Sequence, residues 1–136
     1  MLSETGLSPD IKSSEIFGSN YNVYRHDRDS STSNKVRGGG VLIAVHSRYP
    51  SLNIKMDNSR CEEIFISMSV GKNQIIFGGV YIPPASDVNV YLDHISSLDS
   101  VRDRFPNSIV CILGDYNMPN IEWVHDNTNS PALRPI

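Results

Sequence analysis

"SIVCILGDYNMPN", residues Ser108 to Asn120, joins the most apolar run of the chain to a polar turn. Ile109 to Leu113 are five apolar residues in succession, followed by Gly114, the carboxylate of Asp115 and the amide of Asn117. An unbroken run of this kind predicts a strand covered on both faces, central in a sheet packed on two sides. The glycine predicts a tight turn. Asp115 and Asn117 therefore fall just past the carboxyl end of a buried strand, where α/β sheets present rigidly held loops to solvent. A carboxylate there can hold a metal ion or take a proton from water. An amide beside it can donate to a phosphate oxygen and accept from a water. The same pair also suits an Asx-turn, in which both residues bond only their own backbone.

Upstream of this stretch one helix is clear. From Asp87 to Phe105, apolar residues fall at Val88, Tyr91, Ile95, Leu98, Val101 and Phe105, in steps of three or four, which predicts a single amphipathic stripe. Ser86 or Asp87 supplies a capping oxygen and Pro106 the stop. His94, next to Asp93, reads as a surface residue of this helix. A shorter helical turn is expected over Pro9 to Ile16, with Ser8 as cap and Pro9 at its first position. The rest reads as strands: "YNVYR" (Tyr21 to Arg25), "GVLIAVHS" (Gly40 to Ser47), "EEIFISMSVG" with Ile64, Ile66, Met68 and Val70 on one face, and "NQIIFGGVYIPP" closed by two prolines. Strands at such short spacing imply antiparallel pairing. "DRDSSTSNKVRGGG" (Asp27 to Gly40) reads as a loop, polar and serine-rich and ending in three glycines.

The bulk numbers narrow the class. With 136 residues, 39% hydrophobic and 20% charged, the chain is long enough for one domain with a core and ordinary for a globular protein. A net charge of -3 gives no overall pull toward nucleic acid or membrane and leaves room only for a local basic patch. No stretch reaches the roughly 18 apolar residues of a membrane span. The opening "MLSETGLSPD" has neither the basic start nor the apolar run of a secretory signal. Cys61 and Cys111 lie in apolar strand-like segments and read as buried thiols of an intracellular protein, making neither a disulfide framework nor a metal set.

Other residues carry potential chemistry. Glu4, in "MLSETGL", follows what looks like the tail of a strand; carboxylates are favoured ligands of magnesium, and a solvated surface acid is the plainer alternative. Tyr81, in "GGVYIPP", ends a strand, where its phenol could donate to a phosphate or pack on the sheet edge. "RGGG" (Arg37 to Gly40) lacks the helix and the Lys-Ser/Thr pair of a P-loop, so its glycines read as easing a loop into a strand. Arg25, His26 and Arg28 form a small basic cluster, suited to a polyanion or to a solvated loop. His46, His94 and His125 have no zinc spacing.

Taken in order, "LSETGL", "YNVYRHDRDSSTSNKVRGGGVLIAV", "GGVYIPP" and "VCILGDYNMPNIEW" resemble the endonuclease/exonuclease/phosphatase family, and within it the apurinic-type endonuclease domain of non-LTR retrotransposons. The resemblance spans nearly the whole chain, and "GDYN" followed by Pro-Asn-Ile-x-Trp is its most specific part. It implies a partial four-layer α/β sandwich, with two mixed, mainly antiparallel sheets flanked by helices. It also implies phosphodiester cleavage in DNA. On this resemblance Glu4 holds a Mg²⁺ or Mn²⁺ ion. Asp115 orients or deprotonates the attacking water, Asn117 steadies the scissile phosphate and that aspartate, and Tyr81 contacts phosphate oxygens. Implied partners are DNA and the reverse transcriptase domain of a parent polyprotein; the implied location is nuclear, with no membrane.

The sequence departs from the pattern at both ends. The family's opening strand, which ends in an asparagine upstream of the glutamate, has no counterpart, nor does its closing Ser-Asp-His segment. "HDNTNSPALRPI" offers His125 and Asp126 only, and Gly6 stands where a tryptophan is usual. The expectation is a single incomplete domain over residues 1–136, with exposed strand edges, an aggregation-prone surface and weak or absent activity. A phosphatase of inositol phosphates or phospholipids and a non-catalytic transposon remnant are the alternatives.

Overall fold

The computed structural model describes residues 1–28, 38–56 and 59–118 in full, and the backbone alone of residues 121–125 and 131–135. The order is β1 (Leu2–Ser3), α1 (Ser13–Ile16), β2 (Tyr21–His26), β3 (Val41–His46), β4 (Ser51–Ile54), β5 (Glu62–Val70), β6 (Asn73–Tyr81), α2 (Val88–Arg104), β7 (Ile109–Asp115), β8 (Ile121–His125) and β9 (Pro131–Pro135). Three sheets result, ordered β1-β3-β2, β4-β5-β6-β7 and β8-β9. All pairs are antiparallel except β6 with β7. Those two are joined by α2, because parallel neighbours need a crossover. The chain is thus an α/β fold with two principal, mainly antiparallel sheets. Among the described residues no helix is long and apolar enough to cross a membrane.

Alternation along the strands sets the layers. Ile64 and Ile66 of β5 meet Val41, Ile43 and Val45 of β3, with Tyr81 of β6 completing the cluster, so the two large sheets pack face to face. The opposite face of the four-stranded sheet offers Ile54, Phe65 and Ile76, which close on Val101 of α2. α2 starts where expected: the Asp87 carboxylate accepts from the Asn89 N–H at 2.8 Å.

Tyr91, Leu98, Val101 and Phe105 of the expected stripe pack against the core, but the buried face of α2 is shifted from it. His94, Ser97 and Val101 are buried, whereas Val88 and Ile95 are 65% and 51% exposed. Polar side chains occupy the inner stripe because buried partners await them. α1 is also shorter than expected, beginning at Ser13 with Lys12 as cap, and buries none of its residues. Residues 29–37 of the expected Asp27–Gly40 loop lie outside the described residues.

The largest correction concerns the strand expected to be central. β7 is the last strand of its sheet among the described residues. Ile109 and Leu113, the ends of the apolar run, are 60% and 46% exposed. Gly114 does not turn the chain either, since β7 runs on through Asp115. The glycine is there because a Cβ at this position would lie 2.1 Å from the Val80 carbonyl oxygen, and Val80 is its register partner on β6. Gly114→Ala is therefore expected to cost roughly 1–3 kcal/mol by overpacking, seen as a lower urea midpoint with an unchanged slope.

Candidate active site

β1, β6 and β7 deliver the predicted residues to one place. Tyr81 ends β6 and Asp115 ends β7, and as register partners they leave the same face of the sheet. Glu4 directly follows β1. Asn117 lies two residues past β7, with its Nδ2 donating to the Ile82 carbonyl at 3.1 Å. Glu4, Tyr81, Asp115 and Asn117 together line one open pocket of about 320 Å³, with Arg28, Gly38, Pro83 and Pro84. The Asx-turn is present too: the Asn117 N–H donates to Asp115 Oδ1 at 3.1 Å. Both oxygen-bearing turns are strained, since Glu4 and Asn117 have φ of 53° and 46°, a region non-glycine residues seldom adopt.

Electrostatics fix the state of the phenol. Burial holds Tyr81 above its ordinary pKa, the Glu4 charge adds to this, and the Arg28 guanidinium partly opposes it. Tyr81 is therefore a hydrogen-bond donor at neutral pH. The guanidinium carbon of Arg28 sits 5.7 Å from the centre of the Tyr81 ring.

The basic cluster, read as suited to a polyanion or to a solvated loop, is engaged within the protein. Arg25 pairs with Asp27 and donates to the Ile11 and Ser8 carbonyls at 2.6 and 2.7 Å. His26 Nδ1 meets the Glu63 carbonyl at 2.9 Å. Arg28 donates to Glu62 Oε1 at 2.6 Å, and both side chains are buried. The other oxygen of Glu62 accepts from the Gly40 N–H at 2.5 Å. Gly38 to Gly40 all have positive φ, and a Cβ on Gly39 would lie 2.4 Å from the Arg28 guanidinium. The glycines thus make room for an ion pair. The same loop bonds the segment after Glu4, with Gly6 N–H donating to the Gly39 carbonyl at 2.8 Å.

The sequence reading passed over a second buried network. Glu63 Oε2 meets His94 Nδ1 at 2.6 Å, Glu63 Oε1 accepts from Ser97 Oγ at 2.6 Å, and His94 Nε2 meets the Tyr116 hydroxyl at 2.9 Å. His94, expected on the surface, is 3% exposed. Ligand atoms of Cys61, Glu63 and His94 also lie within 4.8 Å of one another, a group that could hold a metal ion. Their hydrogen bonds already use both carboxylate oxygens and both ring nitrogens. Burial, then the Glu63 and Glu62 charges, keeps the Cys61 thiol protonated. Cys111 is only half-buried, and both thiols are free. A signal for the glutamates existed: Glu62 is in phase with Ile64 and Ile66, so alternation alone turns it inward.

No known family's sequence profile matches the chain, and no curated protein does. Solved structures do. The endonuclease domain of TRAS1, a telomere-specific non-LTR retrotransposon, aligns over 72% of this chain and 41% of its own at a TM-score of 0.53 and 12% identity. TDP2 from Caenorhabditis elegans aligns over 93% of this chain and 44% of its own, at 0.52 and 13%. A truncated Caenorhabditis elegans TDP2 aligns over 93% and 57%, at 0.51 and 15%. Over the aligned residues the chain shares the fold of these three structures. It spans 41 to 57% of the length of these three structures.

Two measurements check this geometry. Glu62→Ala takes one partner from a buried ion pair, and a loss of roughly 3–5 kcal/mol is expected in chemical unfolding. Burial, with Cys61 and Glu63 as smaller causes, pushes the Tyr116 phenol up to about 12. The folded chain thus keeps a proton that the unfolded chain, near 10, releases. Stability should fall as pH rises from about 10 toward 12, and Tyr116→Phe should flatten that fall in a melting-temperature series.

Proposed function

We propose that the chain is the central part of a divalent-cation-dependent phosphodiesterase domain that nicks DNA, of the retrotransposon endonuclease type. The observation that carries this reading is the convergence of Glu4, Tyr81, Asp115 and Asn117, from three separate segments, on one pocket. The donors there are carboxylate, phenol and amide groups, which suits a hard cation such as Mg²⁺ or Mn²⁺. Glu4 would hold the ion, whose charge, when bound, offsets that developing on phosphoryl and leaving oxygens.

The chain's own groups do the remaining work. Asp115 accepts a proton from the water that attacks phosphorus in line. Tyr81, kept protonated by burial and by Glu4, donates to a phosphate oxygen. Asn117 uses one amide N–H on Ile82 and turns the second to the phosphate. The TRAS1 endonuclease among the fold relatives supports the retrotransposon assignment. On that assignment the product is a nicked strand with a free 3′-hydroxyl. The partner is the reverse transcriptase domain of the same polyprotein, and the place of work is the nucleus. The exposed Ile109 and Leu113 of β7 support further strands of the same domain lying against this edge, so the chain alone is expected to be a weak enzyme.

Supercoiled plasmid incubated with the chain and Mg²⁺ should convert slowly to open circles. Asp115→Ala should lower the rate by about 10²–10⁴-fold, the contribution typical of a general base, and EDTA should abolish it. Nicking that survives both changes would overturn the assignment. Release of phosphate from inositol phosphates with intact plasmid would move it to a phosphatase.

A further inference from the structure

Building on the phosphodiesterase reading, we infer that Glu63, His94 and Tyr116 form a positioning set that holds the Asp115–Asn117 loop in register with the pocket. Tyr116 lies between the two proposed site residues, and its side chain points the other way, into the core. There it joins Cys61, Val80 and Ile82. Helix α2 grips it twice. His94 Nε2 meets its hydroxyl at 2.9 Å, and the Tyr91 hydroxyl donates to its carbonyl at 3.0 Å.

The grip is oriented from behind. The two oxygens of Glu63 accept from Ser97 Oγ and from His94 Nδ1, each at 2.6 Å. The proton on Nδ1 leaves Nε2 as the acceptor for the Tyr116 O–H. The imidazole is stacked on Phe65, with ring centres 6.4 Å apart and planes 15° apart, which fixes its direction. The result is a line of fixed polarity from the phenol through the imidazole to the carboxylate, its two bonds to Glu63 buried and its bond to Tyr116 partly so.

The loop needs such a hold. β7 is the last described strand of its sheet, and Asp115 and Met118 are exposed. On the pocket side the loop is tied through the Asp115 carbonyl, which accepts from Ile82 N–H at 2.9 Å, and through the Asn117 amide. Asn117 meanwhile sits at φ 46°, a conformation that persists only where surroundings over-determine it. Glu63 and His94 reach no pocket atom themselves. They act on Asp115 and Asn117 through the residue between them.

Tyr116→Phe removes one hydroxyl and keeps the ring in the core. Amide exchange in the full chain should then quicken by up to about tenfold at Asp115 to Met118, as expected for one lost, partly buried hydrogen bond. Amides of β5 and β6 should keep their rates. In plasmid nicking the same variant should lower kcat and leave KM for DNA unchanged, because the surface that meets DNA is intact. Loop exchange that does not change, or that rises equally throughout β5 and β6, would overturn the inference. So would one zinc ion bound per chain and lost in Cys61→Ser, because a metal on His94 would displace the Nδ1 proton on which this line depends. Exchange decides the matter even where no strand is nicked, so a silent nuclease assay bears on the preceding reading alone.

Discussion

Two adjacent carboxylates govern this structure. Glu62 and Glu63 open β5 and are 1% and 5% exposed. As neighbours on a strand they point to opposite faces of the sheet. A buried carboxylate is tolerated only when its oxygens are bonded or paired, and each glutamate meets that demand with a different part of the chain. Glu62 takes the Arg28 guanidinium and the Gly40 N–H. Glu63 takes Ser97 and His94. The first set leads through Gly39 and Gly40 to Thr5 and Gly6, and so to Glu4. The second leads through Tyr116 to Asp115 and Asn117. Tyr81 lies between the two arms as the register partner of Glu62. Hydrophobic packing assembles the sheets, but these pairings decide where the pocket's oxygen atoms stand.

Three described non-glycine residues have positive φ, and two of them, Glu4 and Asn117, face the pocket. Left-handed geometry costs an L-residue about 1–2 kcal/mol, less for asparagine, whose side chain bonds locally. Asn117 is held by its own backbone N–H on Asp115 Oδ1 and by its side-chain amide on the distant Ile82 carbonyl. Glu4 has no such excuse, and what holds it is the bonding of the residues after it to the glycine loop. Strain at these two pocket residues, each beside a residue bonded into the fold, is compatible with a pre-organised pocket.

Most of the architecture was readable because it follows from periodicity. Alternation in "EEIFISMSV" placed Ile64, Ile66 and Met68 together, and they share the cluster between the sheets. Steps of three and four found α2 nearly to the residue. The reading failed where polar side chains are buried. His94 and Ser97 look like surface residues to any scale that scores polarity, and only their partners 31 and 34 positions away explain their place. Short elements failed for a related reason: β4, Ser51–Ile54, carries too few residues for a period to show. The convergence of Glu4, Tyr81, Asp115 and Asn117 was legible only through the ordered motifs. No local pattern links residues so far apart, whereas register places Tyr81 and Asp115 side by side at once.

β7 shows where a correct local inference meets a wider constraint. The residues Ile109 to Leu113 demand cover on both faces, and one face receives it: Val110 and Ile112 pack under α2 with Phe65 and Ile76. On the other face Leu113 borders an apolar cavity of about 290 Å³ that also touches Ile43, Ile66 and Phe77. Beyond β7 no further strand of this sheet lies among the described residues. Asp115 therefore stands at the end of a strand paired along one edge only. Stiffness at that position has to come from β6 through Tyr81 and Ile82, and from α2 through His94 and Tyr91. An edge strand with a well-held end is the arrangement in which a single hydroxyl, that of Tyr116, gains leverage over a carboxylate in the preceding residue.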